Sequence, residues 1–227
     1  MSHEIRTPLN AIIGLSEDIL NREDVTENMK EEIEDISHYL KNENVELYAF
    51  CDINEKQLKL MAEKYGVPEE RCFSDKDEML KALPEIDIVS VCTWNSAHAE
   101  CTIAALNAGK NVLCEKPMSI KYEDAVENVA LAEKMGVKYG IIFQCRFNDT
   151  SKLIKENIVN GKLGKVLSAR VVLTWCKPDE YYSLSDWKGT WDKEGGGVII
   201  DQAIHTLDLM RYLINDKIKY VDATIAN

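Results

Sequence analysis

The spacing of hydrophobic and polar positions changes twice along the chain, and the first pattern is helical. Over residues 2–20, apolar residues recur mostly every three or four positions, with Ser2 placed to cap the segment and Glu4 in its first turn. A polar break follows at 21–24, and residues 29–40 repeat the same spacing in a more acidic setting. Residues 1–37 are therefore predicted to form an α-helical hairpin with a short second helix.

From residue 45 onward, short β-rich runs alternate with helical stretches. The predicted elements are, in chain order, strand 45–51, helix 55–65, strand 86–92, helix 97–108, strand 111–114, helix 122–135 and strand 139–143. Strands that alternate with helices at this spacing form βαβ units around a parallel sheet. The central part of the chain is therefore predicted to belong to the α/β class.

The pattern changes again near residue 166. A long β-type run at 166–175 is followed by a loop rich in aromatic residues and glycine, a helix over 198–213 and a last strand from Ile218. This order predicts the start of an α+β domain with an antiparallel sheet, of which the chain supplies only the first part.

Composition narrows the classes of partner and compartment. The chain has 27 Lys and Arg against 39 Asp and Glu, a net charge of −12, which argues against a nucleic-acid or anionic-membrane surface as the main partner. Residues 1–36 hold ten of these acids and only three bases, a bias that suggests two segments of different origin. The seven cysteines show no metal-ligand spacing, and no apolar run reaches the roughly 18 residues of a membrane span. We therefore expect a cytoplasmic protein without a metal site.

The first chemical motif is Ser-His-Glu-Ile-Arg-Thr-Pro-Leu-Asn at residues 2–10. An exposed His3 beside Glu4 could accept a phosphoryl group on its imidazole, although a single surface histidine is usually solvated and inert. The string resembles the phosphoacceptor box of sensor histidine kinases. That resemblance, which covers about residues 1–36, implies phosphorylation of His3 and dimerisation of the hairpin as a four-helix bundle.

A second group of residues follows the ends of three predicted strands. Its members are Asp52, Thr93, Trp94, Asn95, His98, Glu115 and Lys116. In a dinucleotide-binding fold, Asp52 would accept hydrogen bonds from ribose hydroxyls, but it could equally cap the next helix. The loop that carries Thr93 opens a helix, so its polar groups and free N–H groups could face a cofactor. Lys116 is either a surface partner of Glu115 or a group that reaches into the ligand crevice.

A third group lies on the predicted helix near the end of the chain. Three glycines at 195–197 precede Asp201 and His205, which are four residues apart and therefore share a helix face. A carboxylate beside an imidazole can set its tautomer and tune it to take a proton from a hydroxyl. The alternative is a core histidine that is satisfied by its helix neighbour, with glycines that only permit close packing.

Together these motifs resemble the Gfo/Idh/MocA family of NAD(P)-dependent oxidoreductases over about residues 38–227. The resemblance rests on five motifs in order: the strand-end Asp, the Thr-x-Asn-x-x-His loop, the Glu-Lys-Pro turn, Gln-x-Arg-Phe-Asn at 144–148, and Gly-Gly-Gly followed by Asp-x-x-x-His. It implies a Rossmann-like dinucleotide-binding domain over 38–145 and a partial substrate and oligomerisation domain over 146–227.

The resemblance also implies an activity, namely hydride transfer between NAD(P) and a secondary hydroxyl of a sugar, inositol or related polyol. His205 would take the hydroxyl proton, Asp201 would orient it, and Lys116 would hold the substrate oxygen. NAD is expected rather than NADP, because a carboxylate at the position of Asp52 repels a 2′-phosphate. The implied cofactor-binding residues are Asp52, Thr93, Trp94, Asn95, His98, Glu115 and Lys116. The implied substrate-binding residues are Arg146, Asn148, Tyr182, Trp187 and Lys188.

One part of the family pattern is missing from its expected place. A first strand and a Gly-x-Gly-x-x-Gly turn should precede Tyr39, and the sequence has neither there. We therefore predict an incomplete parallel sheet that lacks its first βα unit and has two open edges. In the alternative, residues 9–16 supply the strand, but Gly14 is then a single glycine, 38 residues before Asp52 where roughly 20 are expected.

Two further functional hypotheses remain beside the oxidoreductase. The chain could act as a phosphoacceptor and dimerisation module through His3, or it could be a non-catalytic fusion product. A homo-oligomer formed through the sheet or the hairpin is one expectation, and a small sugar or polyol is the expected ligand.

Overall fold

The computed structural model describes residues 11–13, 45–183 and 186–224. The chain divides into two compact units. The first is drawn from Met1–Ile142 and Lys177–Asp201, and the second from Phe143–Cys176 and Gln202–Asn227.

The described residues of the first unit contain a parallel sheet of six strands. These are β1 (Ala11–Ile13), β2 (Ala49–Cys51), β3 (Cys72–Phe73), β4 (Ile88–Val91), β5 (Asn111–Cys114) and β6 (Tyr139–Ile141). Their order across the sheet is β3-β2-β1-β4-β5-β6, and every neighbouring pair is parallel. This is the doubly wound order of dinucleotide-binding folds, so the predicted α/β class is confirmed.

Helices connect the strands in the described residues. They are α1 (Glu55–Tyr65), α2 (Lys76–Ala82), α3 (His98–Asn107) and α4 (Tyr122–Met135). The side chain of Asn54 caps α1 by accepting the N–H groups of Lys56 and Gln57, and Gly66 ends the helix in the left-handed conformation. The predicted helices 55–65 and 122–135 and the predicted strand 111–114 are confirmed at both ends.

The core of the first unit lies on both sides of the sheet. Phe50 of β2 packs with Leu58 and Met61 of α1 in one apolar cluster. Val91 and Leu106 belong to a larger cluster around β4, β5 and α3. Strands covered on both faces read as continuous apolar runs, which is why the sequence made β4 and β5 recognisable.

Strand β1 overturns two expectations. Ala11, Ile12 and Ile13 pair with residues 49–51 on one side and with residues 89–91 on the other. The predicted helix over 2–20 is therefore wrong at 11–13, and the predicted absence of a first strand is wrong as well. The physical reason is that β2 and β4 would otherwise expose unpaired N–H and C=O groups toward an open gap in the sheet. The remainder of the predicted hairpin, including His3, lies outside the described residues.

The regular secondary structure in the described residues of the second unit is helical. A short 3₁₀ turn at Gln144–Phe147 leads into α5 (Asp149–Val159), which packs against a later helix, Ile204–Ile214. A π-helical turn, Ile199–Ala203, precedes that later helix and joins the two units along the chain. The predicted helix over 198–213 is thus confirmed, with a wider first turn than expected.

The predicted antiparallel strands do not form. Residues 166–175 and 218–224 adopt no strand, and the described part of the second unit holds no strand that could pair with them. A β-strand needs a partner for its backbone groups, and apolar side chains such as Leu167 and Trp175 stay exposed instead. Within the described residues, the helices are also too short or too polar to cross a lipid bilayer.

Candidate active site

The first feature of the site is a buried carboxylate at the end of β2. Asp52 directly follows that strand and is almost fully buried. Its Oδ1 accepts the N–H of Asn54 at 2.7 Å, so the side chain also orders the turn before α1. A carboxylate at the carboxyl end of the strand beside β1 has the chemistry that an adenosine ribose requires. This hydrogen-bond acceptor at the strand end therefore fits the ribose of a dinucleotide.

His98 connects two of the loops at the carboxyl edge of the sheet. Its side chain is 1% exposed, its Nδ1 lies 2.6 Å from the Pro117 carbonyl oxygen, and its Nε2 lies 2.8 Å from that of Thr93. Burial lowers the pKa of His98, and the two carbonyl contacts oppose that shift. The imidazole thus ties the loop after β4 to the turn that carries Lys116.

The loop after β4 also contacts the segment before the three glycines. The Asn95 amide donates from Nδ2 to the Glu194 carbonyl oxygen at 2.9 Å, and the Ser96 N–H donates to the Lys193 carbonyl oxygen at 2.9 Å. The Lys193 ammonium lies 5.9 Å from the centre of the Trp94 ring. Two motifs that are a hundred residues apart in the sequence therefore share one site in the first unit.

Lys116 and Asp201 form the central pair of the site. The Lys116 ammonium donates from Nζ to the Asp201 carbonyl oxygen at 2.8 Å and lies 3.7 Å from Oδ1 of its carboxylate. Both side chains are largely buried, and Glu115 steadies the turn by accepting the Lys116 N–H at 3.2 Å. Low solvent exposure strengthens such charge interactions. The structure thus brings together two of the three predicted catalytic residues.

Gly195 is required by the packing of this site. Its φ is +94°, and a Cβ atom there would lie 2.5 Å from Cγ2 of Ile120. Both the backbone conformation and the close approach exclude a side chain. The first of the three glycines therefore permits the close packing that the alternative interpretation predicted, and it lets the segment that leads to Asp201 lie against residues that follow Lys116.

His205 lies in the second unit, on the helix Ile204–Ile214. Its side chain is buried, and its ring meets the Phe143 ring edge-on with 6.3 Å between centroids. Arg146 lies over the same Phe143 ring and donates to both carboxylate oxygens of Asp208, from Nε to Oδ2 at 2.6 Å and from Nη2 to Oδ1. The hydrogen bonds to Asp208 raise the pKa of Arg146. The guanidinium predicted to bind substrate is thus engaged by a carboxylate that we did not predict.

The remaining predicted substrate residues are spread over both units. Asn148 is exposed at the start of α5, in the second unit. Tyr182 lies in the short helix α6 (Asp179–Ser183), in the first unit. The Lys188 ammonium lies 5.6 Å from the Trp187 ring centre, and these two residues also belong to the first unit. Sequence reasoning missed Tyr181 and Glu194, which lie close to Asp201.

Comparison with known families identifies the chain. A family model described as "Oxidoreductase family, NAD-binding Rossmann fold" matches residues 26–143, which is more than half of the chain. The chain belongs to the Gfo/Idh/MocA family. A model of the Gfo/Idh/MocA C-terminal domain matches residues 152–227, and a His Kinase A phospho-acceptor model matches residues 1–42. Both predicted resemblances are confirmed.

Curated relatives of this Gfo/Idh/MocA chain are sugar and inositol dehydrogenases. D-glucoside 3-dehydrogenase of Escherichia coli is 35% identical over 180 residues, which are 78% of this chain and 49% of that protein. Myo-inositol 2-dehydrogenase of Thermotoga maritima is 32% identical over 179 residues, 78% of this chain and 50% of that protein. The chain spans about half the length of the curated relatives it matches. These relatives favour the oxidoreductase over the phosphoacceptor hypothesis.

Solved structures agree with the fold of this Gfo/Idh/MocA chain. The WlbA dehydrogenase of Bordetella pertussis, crystallised with NADH and UDP-GlcNAcA, superposes with a TM-score of 0.74 at 28% identity. The alignment covers 91% of this chain and 58% of that one. Strand β1 lies outside the Rossmann-model match at 26–143 and inside the kinase-model match at 1–42. A segment that resembles a kinase motif therefore occupies the central strand of the dehydrogenase sheet.

Proposed function

We propose that this Gfo/Idh/MocA chain is an NAD-dependent oxidoreductase that oxidises a secondary hydroxyl of a sugar, inositol or related polyol. The observation that carries the proposal is the buried Lys116–Asp201 pair, an ammonium group held beside a carboxylate in the first unit. The named relatives, a D-glucoside 3-dehydrogenase and a myo-inositol 2-dehydrogenase, support this substrate class. The division into a cofactor part over 38–145 and a substrate part over 146–227 belongs to the same proposal.

In this proposal, the cofactor is held by the strand-end residues. Bound NAD supplies the hydride acceptor, at C4 of its nicotinamide ring. Asp52 accepts the ribose hydroxyls and disfavours NADP, because its buried carboxylate repels a 2′-phosphate. The other residues proposed to line the cofactor are Thr93, Trp94, Asn95, His98, Glu115 and Lys116.

The proposed chemistry uses three side chains. The Lys116 ammonium binds the substrate hydroxyl oxygen and stabilises the negative charge that develops on it. His205 accepts the hydroxyl proton, and Asp201, four residues before it, orients the acceptor. Asn148, Tyr182, Trp187 and Lys188 are proposed to contact the substrate. Arg146 is assigned a different role, since its guanidinium holds Asp208.

The proposal is tested by cofactor binding and turnover. We expect calorimetry to detect NAD binding, and absorbance at 340 nm to show NADH formation with at least one member of a panel of inositols and methyl glucosides. Lys116→Met should lower kcat about a hundredfold at saturating NAD, because it removes a transition-state charge partner. Lys59→Met, on the exposed face of α1, is the matched control. Absence of NAD binding, or equal kcat for Lys116→Met and wild type, would refute the proposal.

We also infer the partners, the cellular compartment and the oligomeric state of the enzyme. The net charge of −12 disfavours nucleic acid as a partner, and the seven cysteines are all free thiols, as expected in a reducing cytoplasm. Exposed apolar side chains of the second unit, such as Leu167 and Trp175, support assembly into a homo-oligomer. Sedimentation of the purified chain would test that assembly.

A further inference from the structure

Tyr181 contacts the carboxylate of the proposed catalytic pair. It lies on α6 in the first unit, and its hydroxyl donates to Oδ2 of Asp201 at 3.3 Å. The Lys116 ammonium lies 3.7 Å from the other oxygen, Oδ1. Each oxygen of the Asp201 carboxylate therefore has its own partner, which defines the orientation of the carboxylate plane.

The Tyr181 ring is itself fixed by its neighbours. The ammonium groups of Lys177 and Lys188 lie 4.3 Å and 4.5 Å from its centre, within the range of cation–π attraction. The Tyr182 ring meets it edge-on at 5.1 Å. The position of the hydroxyl therefore does not depend on its bond to Asp201 alone, so the ring can act as a rigid support for the carboxylate.

The electrostatics of the cluster keep the proton on Tyr181. Burial first, and then the negative charges of Asp201 and Glu194, raise the pKa of Tyr181 well above its usual value. The phenol therefore remains a hydrogen-bond donor throughout the working pH range of an enzyme.

A second carboxyl group, that of Glu194, interacts electrostatically with Asp201. The Glu194 side chain is 1% exposed, and its Oε2 accepts the Gly189 N–H at 2.8 Å. Burial raises the pKa of Glu194, the hydrogen bond from the Gly189 N–H lowers it, and the charge of Asp201 raises it further. Tyr181 thus supplies a hydrogen-bond donor to Asp201 in a cluster that holds a second carboxyl group.

We propose that Tyr181 is a positioning residue that acts through Asp201. The inference rests on the proposed oxidoreductase function. The Tyr181 hydroxyl holds Oδ2 in place, so that the Asp201 carboxylate keeps the orientation in which Oδ1 lies beside the Lys116 ammonium. Without the hydroxyl, Oδ2 loses this partner and the carboxylate can turn away from that orientation.

Kinetics of Tyr181→Phe provide the first test, because this substitution keeps the ring and removes only the hydroxyl. We expect kcat to fall about tenfold, the effect of one hydrogen bond to a charged group, while the KM for NAD changes by less than about twofold. In an Asp201→Asn background, the same substitution should have little further effect. The control is Tyr122→Phe, whose side chain is 79% exposed. An equal loss of kcat in both backgrounds would show that Tyr181 acts elsewhere.

A spectroscopic test does not depend on turnover. In protein labelled with 3-fluorotyrosine, the Tyr181 signal is identified by its loss in Tyr181→Phe. We expect Asp201→Asn to shift this fluorine resonance and to leave that of Tyr122 in place. A Tyr181 resonance that does not move would overturn the inference. Wild-type protein without NAD-dependent turnover would instead refute the proposed function, so the two failures are distinguishable.

Discussion

The Arg146–Asp208 ion pair gives the sharpest test of how the second unit is organised. The guanidinium makes two hydrogen bonds to the carboxylate, and it lies 5.4 Å and 5.2 Å from the ring centres of Phe143 and Tyr212. The same Phe143 ring contacts His205. We therefore predict that Arg146 stabilises the unit around the proposed base and does not bind substrate.

The two partners differ in exposure, and this difference sets the magnitudes. The Asp208 side chain is only 10% exposed, whereas that of Arg146 is 38% exposed. Removal of one partner from a fully buried pair costs about 3–5 kcal/mol, and exposed pairs contribute about 1 kcal/mol or less. Arg146→Met leaves the buried carboxylate alone, so after allowance for the exposed guanidinium we expect a loss of about 2–3 kcal/mol. Asp208→Asn leaves a cation that water and two rings still stabilise, so we expect a loss of about 1–2 kcal/mol.

Urea unfolding of the whole chain, followed by circular dichroism, measures both losses, with Lys152→Met on the exposed side of α5 as the control. The double variant should lose less than the sum of the single losses. Two results would refute the reasoning. One is a loss below about 0.5 kcal/mol for Arg146→Met, as for a surface pair. The other is unchanged stability with a raised substrate KM, which is the result expected of a substrate-binding arginine.

Three further predictions concern the first unit. Gly195→Ala should destabilise the protein by about 2 kcal/mol or more, because its Cβ would collide with Ile120. Gly136→Ala is the control: no atom lies near its Cβ, so thermal unfolding should show a loss of only about 1 kcal/mol. The pKa of His98 is lowered in the folded state, so the unfolded chain binds more protons and stability should decrease as the pH falls below 6.5. His98→Gln should remove this slope from urea midpoints measured between about pH 5 and 7.5, and an unchanged slope would contradict the assignment. Ile12→Pro should accelerate hydrogen exchange of the β2 and β4 amides, because proline breaks a central strand, and unchanged exchange would favour the helical hairpin.

Elements with strong local signals could be predicted from the sequence alone. Helix α1 has a side-chain cap at Asn54 and a left-handed glycine at Gly66, and α4 ends in the same way at Gly136. These signals act within a few residues, so they do not depend on the rest of the fold. The strands at 166–175 and from 218 were wrong because a β-rich run becomes a strand only where another strand pairs with it.

The site could be predicted only in part, for a similar reason. Lys116 and Asp201 were identified through family motifs, but their contact joins residues 85 positions apart and depends on the tertiary fold. Arg146 and Asp208 are 62 positions apart, and no local feature of either residue names the other as its partner. Tyr181 stands beside Tyr182 in the sequence, and only the packing of α6 determines which hydroxyl reaches Asp201.

Strand β1 shows how tertiary context can outweigh a longer local pattern. The helical spacing over residues 2–20 extends much further than the three residues of β1, yet those three pair with strands on both sides. A helix there would have left the facing edges of β2 and β4 unpaired in the middle of a sheet, and a buried unpaired backbone group costs about 1–3 kcal/mol. In this chain, the short apolar segment at residues 11–13 fills the gap between β2 and β4. It follows that the resemblance of residues 1–42 to a kinase domain does not determine the conformation of residues 11–13, which form a central strand of the dehydrogenase-type sheet.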